Sequence, residues 1–128
     1  MTLTVKNRRD IAAHTGPGTI PGIRFRSARQ ALGVSAWGMN VIELDPSCTD
    51  YPAHNHDHDR QEELYVVLEG EAVLKTDGAE RVVRQGDFVR VPPEITRQFI
   101  TRGTGVVLLA IGGTPGRPYA PDERIREG

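Results

Sequence analysis

Asp77-Gly78 lies between two runs of strand-forming residues, and this dipeptide in that setting is a strong signal for a β-hairpin. Further along, Pro92-Pro93 ends another such run, because proline cannot donate a hydrogen bond to a neighbouring strand. The chain contains 14 glycines and 9 prolines, which interrupt it at short intervals and leave little room for long helices. These turn residues predict an all-β fold built from short strands.

About eight short runs have the β-branched and aliphatic composition that is typical of strands. Helices are predicted only for residues 27–32 and for a charged stretch, 122–127, near the C-terminus. Many short strands with tight turns form a sandwich or a closed barrel, and periodicity alone does not choose between an immunoglobulin-like sandwich and a jelly roll. The predicted strands are residues 23–26, 36–44, 63–69, 72–76, 79–83, 88–91, 96–101 and 105–111.

A length of 128 residues suits a single domain, because two cores of half that size would each be too small to be stable. The 16 basic residues balance 17 acidic ones, and the net charge of -1 argues against nucleic acid or an anionic membrane as a partner. No apolar run is long enough for a signal peptide or a membrane span. Cys48 is the only cysteine, which excludes an internal disulfide and favours a cytoplasmic location.

Three of the four histidines lie within five residues, at His54, His56 and His58, and Glu63 follows them. Residues two apart in a strand share a face, so His54 and His56 can point together into a barrel. Imidazoles and a carboxylate suit divalent zinc, iron, nickel or manganese. Two histidines and one carboxylate can form a facial triad, whose open coordination positions a metal enzyme uses for water, oxygen or substrate.

His58 also has a simpler interpretation, because it lies in the polar stretch 57–61, whose composition is typical of a solvated loop. A histidine in such a loop commonly has no function. We therefore keep His58 as an additional candidate ligand and expect the site to depend on His54, His56 and Glu63.

The stretch PAHNHDHDRQEELYVVLEGE resembles the first motif of the cupin superfamily, G-x5-H-x-H-x3–4-E-x6-G, in which Glu63 precedes Gly70 by the required spacing. The stretch GDFVRVPPEITRQF is similar to the second motif, G-x5-P-x-G-x2-H-x3-N, at Gly86 and Pro92. The resemblance implies a jelly-roll (cupin) β-barrel that forms one domain over residues 1–128, and it suggests a homodimer. The barrel would cover about residues 36–111, between an N-terminal strand segment, 1–35, and an extended tail, 112–128.

The resemblance allows two sets of metal ligands, because three histidines are available for two positions of the first motif. One set is His56, His58 and Glu63, and its four-residue spacer is the family's own. The other is His54, His56 and Glu63, with a longer spacer. We prefer the second set, because Pro52-x-His54-x-His56 is similar to the usual start of the motif and leaves the polar residues 57–61 for a turn.

The second motif departs from the family at three positions, where Glu94 replaces a glycine, Arg97 a metal-binding histidine and Thr101 an asparagine. A guanidinium remains protonated and is not a metal ligand, so the set of three histidines and one glutamate is incomplete. Arg97 is instead a candidate for binding an anionic group of the substrate, with Tyr65 and Phe99 as further candidate substrate contacts on inward faces.

Two functions follow from these features. The first is a metal-dependent enzyme acting on a small organic acid or ketone by oxygenation, isomerisation or lyase chemistry. The second is a binding protein without catalysis, which takes an anionic or sugar-like small molecule and has a structural metal or none. The substituted second motif favours the second function, whereas the cluster of His54, His56 and Glu63 favours the first.

Overall fold

Within residues 2–121, the part of the chain that the computed structural model describes, seven strands pair in antiparallel fashion. The helical segments in this range are the 3-10 turn Arg8–Asp10 and the short helix α1 (Ala28–Leu32). The fold is therefore all-β, as the turn residues predict, and the predicted helix over 122–127 lies outside the described residues. The strands are β1 (Ile23–Arg26), β2 (Gly38–Leu44), β3 (Glu62–Thr76), β4 (Ala79–Arg84), β5 (Phe88–Val91), β6 (Arg97–Ile100) and β7 (Val106–Gly113).

The long strand β3 belongs to both sheets of the barrel. Its first half lies between β7 and β5, in a sheet that continues through β2 to β1. Its second half lies between β4 and β6. A register shift between Val67 and Glu69, followed by Gly70 with φ +78°, lets the strand bend from one sheet into the other. The sequence predicted two strands here, because Gly70 reads as a terminator, and the structure corrects this to one.

The predicted hairpin at Asp77-Gly78 joins β3 to β4, with Thr76 opposite Ala79. Both turn residues have positive φ values, +27° and +82°, which is the conformation that a two-residue hairpin favours.

The interior of the barrel is apolar over most of its length and includes Leu44, Val67, Leu108 and Phe99. Burial alternates along β3 and β7, so that side chains two residues apart share the interior. A second, smaller cluster lies on the outer face of β2, where Val41 packs against Ile11 and Ala28. The segment before β2 thus covers part of the outer surface of the barrel.

None of the helices in the described part of the chain is long and apolar enough to cross a membrane.

Candidate metal centre

His54 and His56 lie in the connection between β2 and β3, which the structure holds against the start of β6. His54 forms an isolated bridge with Arg97, with N–O distances of 3.1 and 2.9 Å, and the amide of His56 donates to the Pro93 carbonyl at 2.8 Å. The strand geometry from which we inferred that His54 and His56 can share a face is present here only as this single bridge. That one bridge is enough to bring His54 to the carboxylate of Glu63.

Three side-chain atoms converge at this point. Nε2 of His54 lies 3.5 Å from Oε1 of Glu63, and Nε2 of His56 lies 3.2 Å from the same oxygen. One potential ligand atom from each of the three residues lies within 4.8 Å of the other two. Atoms bound to one ion at about 2.1 Å are separated by roughly 3.0–3.4 Å from each other, so these distances fit a shared divalent ion.

The second nitrogen of each imidazole is engaged outside this point. Nδ1 of His54 lies 3.0 Å from the carbonyl oxygen of Pro52, and Nδ1 of His56 lies 3.1 Å from a carboxylate oxygen of Asp59. Both partners accept hydrogen bonds, so each Nδ1 carries the proton and donates. This arrangement directs both Nε2 atoms towards Glu63 and is typical of metal-binding histidines.

The electrostatics of the site favour an ionised Glu63. Burial alone would raise the pKa of this carboxyl, but hydrogen bonds from His54 and His56 outweigh burial and hold the pKa well below its usual range. Burial lowers the pKa of His56, and the contacts with Glu63 and Asp59 raise it by more, so the net direction is upward. A divalent ion at this point would therefore displace a proton from His56.

Tyr65 and Phe99 line the interior beside Glu63. The hydroxyl of Tyr65 donates to Oε1 of Glu63 at 2.7 Å, and burial raises the pKa of this phenol well above its usual range, so it remains a donor. The ring of Phe99 meets that of Tyr65 edge-on with a centroid distance of 4.8 Å. Both side chains are almost fully buried, as their inward parity predicts.

Arg97 lies inside the barrel, with none of its side chain exposed. Its Nη1 lies 3.5 Å from Oε1 of Glu63, and its Nη2 donates to the carbonyl of Pro92 at 3.0 Å. Glu94, which lies three residues before Arg97, contacts Arg60 instead. Arg97 therefore brings a positive charge to the same carboxylate as the two histidines.

His58 lies in the turn after His56, and a third of its side chain is exposed. Its Nε2 is 3.4 Å from Asp59, and its ring stacks on that of His56 with a centroid distance of 5.9 Å. With His56 and Asp59 it forms a second group of possible ligand atoms, which is more exposed than the first. Glu63 is a member of the group with His54 and not of this second group.

The sequence analysis missed two residues of the site. Asp59 was assigned to a solvated loop, but it orients the imidazole of His56. Tyr51 was not among the predicted site residues, but it is buried between His54 and Phe99, at centroid distances of 6.0 and 5.9 Å. The three-residue spacing from His56 to Asp59, followed by a turn, was the one available signal for Asp59.

An all-β barrel in which two histidines and a glutamate converge is the architecture of a cupin. The family model for the cupin domain matches residues 40–112, which is more than half of the chain. The chain therefore belongs to the cupin family that this model describes. No curated protein matches its sequence.

Solved structures show the same fold at low sequence identity. A cupin-superfamily sugar phosphate isomerase from Silicibacter pomeroyi has a TM-score of 0.71 and 22% identity, over 85% of this chain and 74% of that one. The polyketide cyclase RemF from Streptomyces resistomycificus has a TM-score of 0.70 and 20% identity, over 95% of this chain and 89% of that one. A predicted oxalate decarboxylase from Thermotoga maritima has a TM-score of 0.67 and 18% identity, over 85% of this chain and 97% of that one. At this identity, the similarity supports the fold alone.

Proposed function

We propose that this protein is a metal-dependent enzyme for a small molecule, in which His54, His56 and Glu63 hold a divalent zinc, iron, nickel or manganese ion. The observation that carries the proposal is the convergence of two imidazole Nε2 atoms on one carboxylate oxygen, while both Nδ1 atoms donate elsewhere. Two neutral imidazoles and a carboxylate suit these ions and leave coordination positions open.

The substrate in this proposal is a small organic acid or ketone. When bound, the metal would supply Lewis acidity that polarises a substrate oxygen. Arg97 would attract an anionic group of the substrate, Tyr65 would hold Glu63 in place through its hydroxyl, and Phe99 would exclude water beside them. The structural neighbours named an isomerase and a decarboxylase make isomerisation and lyase chemistry reaction classes to test, by analogy of fold. Oxygenation is a third class to test, because a metal held by two histidines and one carboxylate keeps open coordination positions.

The proposal predicts that His54→Ala and His56→Ala each remove the metal while the protein stays folded. Each variant deletes one of three ligands, and this costs more metal affinity than a change outside the ligand set. His58→Ala is the matched control, because it deletes an adjacent imidazole that contacts Asp59. Metal content per chain and circular dichroism would be measured on untagged protein. Full metal occupancy in both His54→Ala and His56→Ala would refute this assignment, and loss of metal in His58→Ala would assign the ion to the alternative set.

A second candidate function is a binding cupin without catalysis, for an anionic or sugar-like ligand. The observation that favours it is the ion pair of Arg97 with Glu63, which already neutralises the buried carboxylate without a metal. Dialysis against micromolar zinc, iron, manganese or nickel followed by elemental analysis separates the two functions. A protein that takes up none of these ions and still binds small carboxylates has the second function.

We further propose a cytoplasmic homodimer. The lone Cys48 is buried, and a reducing compartment suits it. Sedimentation of the purified protein would test the dimer.

A further inference from the structure

Arg97 introduces a buried positive charge at the position where a divalent ion would have to bind. Its guanidinium is fully buried, and Nη1 faces Oε1 of Glu63 at 3.5 Å. Two like charges so close together repel each other strongly away from bulk water. Any cation held by His54, His56 and Glu63 would therefore bind beside an existing cation.

One carboxylate oxygen of Glu63, Oε1, faces four polar side chains. Oε1 accepts the hydrogen bond from Tyr65 at 2.7 Å and also faces His54, His56 and Arg97 at 3.2–3.5 Å. An oxygen atom has two lone pairs, so it cannot bind a metal and keep all of these contacts. An ion that binds Oε1 together with His54 and His56 leaves this oxygen one lone pair, which the Tyr65 hydroxyl already uses, and it therefore weakens the contact with Arg97.

Apart from Glu63, the guanidinium of Arg97 has few polar partners. Its Nη2 donates to the carbonyls of Pro92, at 3.0 Å, and Val91, at 3.5 Å, but its Nε and Nη1 find no hydrogen-bond partner among residues 2–121. A buried guanidinium that lost its carboxylate would be an uncompensated charge, which is costly in a protein interior. A small anion beside Nη1 would restore the lost compensation.

We propose that the divalent ion and a small carboxylate bind to this barrel with positive coupling, and that Arg97 is the residue that couples them. The inference rests on the proposed metal site at His54, His56 and Glu63. Without the anion, Arg97 competes with the metal for Glu63 and weakens metal binding. With the anion present, Nη1 donates to its carboxylate, and the negative charge offsets both cations. Because coupling is reciprocal, the metal also strengthens binding of the anion by the same factor.

The geometry also limits the kind of anion. The packed rings of Tyr65 and Phe99 are almost fully buried, Tyr65 bonds to Glu63, and the exposed fractions of His54 and Glu63 are only about a tenth of each side chain. A compact monocarboxylate fits this setting better than a large or multiply charged acid. Acetate is therefore a suitable probe, and acetamide has nearly the same shape without the charge.

The test is a calorimetric titration of metal-free protein with cobalt(II), in chloride and in acetate at equal ionic strength and pH. We expect saturating acetate to tighten cobalt binding at least tenfold, and acetamide to have no effect. Acetate also binds free cobalt weakly, and this competition would lower the apparent affinity of the protein for cobalt. A tighter apparent affinity in acetate therefore cannot result from the complex of acetate with free cobalt.

Arg97→Gln identifies the residue responsible. This variant should bind cobalt about tenfold more tightly than the parent in chloride and should lose the response to acetate. Arg90→Gln is the matched control, because Arg90 is an exposed arginine that pairs with Glu62 outside the site, and this variant should behave as the parent does. Arg97→Lys keeps the charge and should retain part of the response, which provides a second variant if the glutamine does not fold.

The outcomes separate this inference from the proposed function. Tight cobalt binding by the parent that ignores acetate, or an acetate response retained in Arg97→Gln, overturns the coupling and leaves the metal site intact. Absence of cobalt binding by the parent in both buffers overturns the metal site itself. A tenfold gain in acetate that disappears only with Arg97 supports both.

Discussion

Glu63 carries much of the polar chemistry of the barrel interior, because one of its oxygens faces the partners supplied by Tyr65, His54, His56 and Arg97. A carboxylate buried to this degree is stable only when hydrogen bonds and opposite charges replace its water. The same contacts that make a candidate site also make Glu63 part of the interior that the protein must satisfy in order to fold.

Tyr65→Phe tests this double role. The variant removes the hydroxyl that donates to Glu63, and a hydrogen bond to a charged group contributes about 1.5–3 kcal/mol. We expect the free energy of unfolding of metal-free protein to fall by about that amount in urea titrations.

Tyr51→Phe is the control for this experiment. The hydroxyl of Tyr51 bonds to Tyr65, which is a neutral partner, and the expected loss is about 1 kcal/mol. Equal losses of unfolding free energy in the two variants would show that the hydrogen bond to Glu63 stabilises the protein no more than a neutral hydrogen bond does.

Individual side chains were predictable from sequence where they follow the alternation of a strand. Tyr65 shares the inward face of Glu63, and Phe99 that of Arg97, because positions two apart point the same way. Asp59 was not predictable in this way, because its contact with His56 depends on a turn with no periodic pattern. The pairing of Arg97 with Glu63 was not predictable in this way either, because the two residues lie on different strands and only the three-dimensional structure brings them together.

The strand β3 shows how one element builds the barrel. Gly70 lies where the strand crosses from one sheet to the other, and a Cβ atom there would lie 2.0 Å from the carbonyl oxygen of Gly105. Its φ of +78° is also in the region that disfavours other residues. The sequence located the glycine but could not show this approach, which arises from a contact across 35 residues.

Gly70→Ala should therefore be strongly destabilising. The left-handed conformation costs roughly 1–2 kcal/mol, and the clash with backbone adds to it, so we expect a total loss of about 2–4 kcal/mol. Gly86→Ala is the matched control, because φ there is +93° but no atom lies within 4 Å of the added carbon. Its loss should be only about 1–2 kcal/mol in the same urea titration. Equal losses would mean that the backbone conformation, and not the approach of Gly105, makes Gly70 necessary.

At the scale of the whole molecule, a polar cluster joins the N-terminal segment to the outer surface of the barrel. Glu43 of β2 is buried, and its carboxylate pairs with Arg8 at 2.5 Å, Arg24 at 2.7 Å and Arg26 at 3.1 Å. The sequence analysis did not anticipate this cluster, since arginines near a strand more often cover an exposed sheet edge. Together with the packing of Ile11 on Val41, it holds the residues before β2 against the sheet.

Glu43 should make the stability of the protein depend on pH in the acid range. Burial alone would raise the pKa of this carboxyl, but hydrogen bonds from Arg26, Arg24 and Arg8 outweigh burial and lower the pKa from 4.5 to about 2. Because the folded pKa is the lower one, the stabilisation is complete above pH 4.5 and is lost as the pH falls towards 2. A shift of this size corresponds to at most about 3 kcal/mol, and screening at the half-exposed Arg24 reduces it to about 2 kcal/mol.

The measurement compares urea unfolding of the parent and Glu43→Gln at several pH values. The gap in unfolding free energy between them should be largest near pH 6 and should narrow by about 2 kcal/mol as the pH falls through the range below 4.5. Glu69→Gln is the matched control, since Glu69 also contacts Arg8, at 3.3 Å, but is mostly exposed, so its effect should stay below about 0.5 kcal/mol. A gap that does not change with pH would show that Glu43 acts only through its shape and neutral hydrogen bonds. If the gap narrows and Glu69→Gln does not change the unfolding free energy, the charge of the buried Glu43 carboxylate holds the N-terminal segment against the barrel.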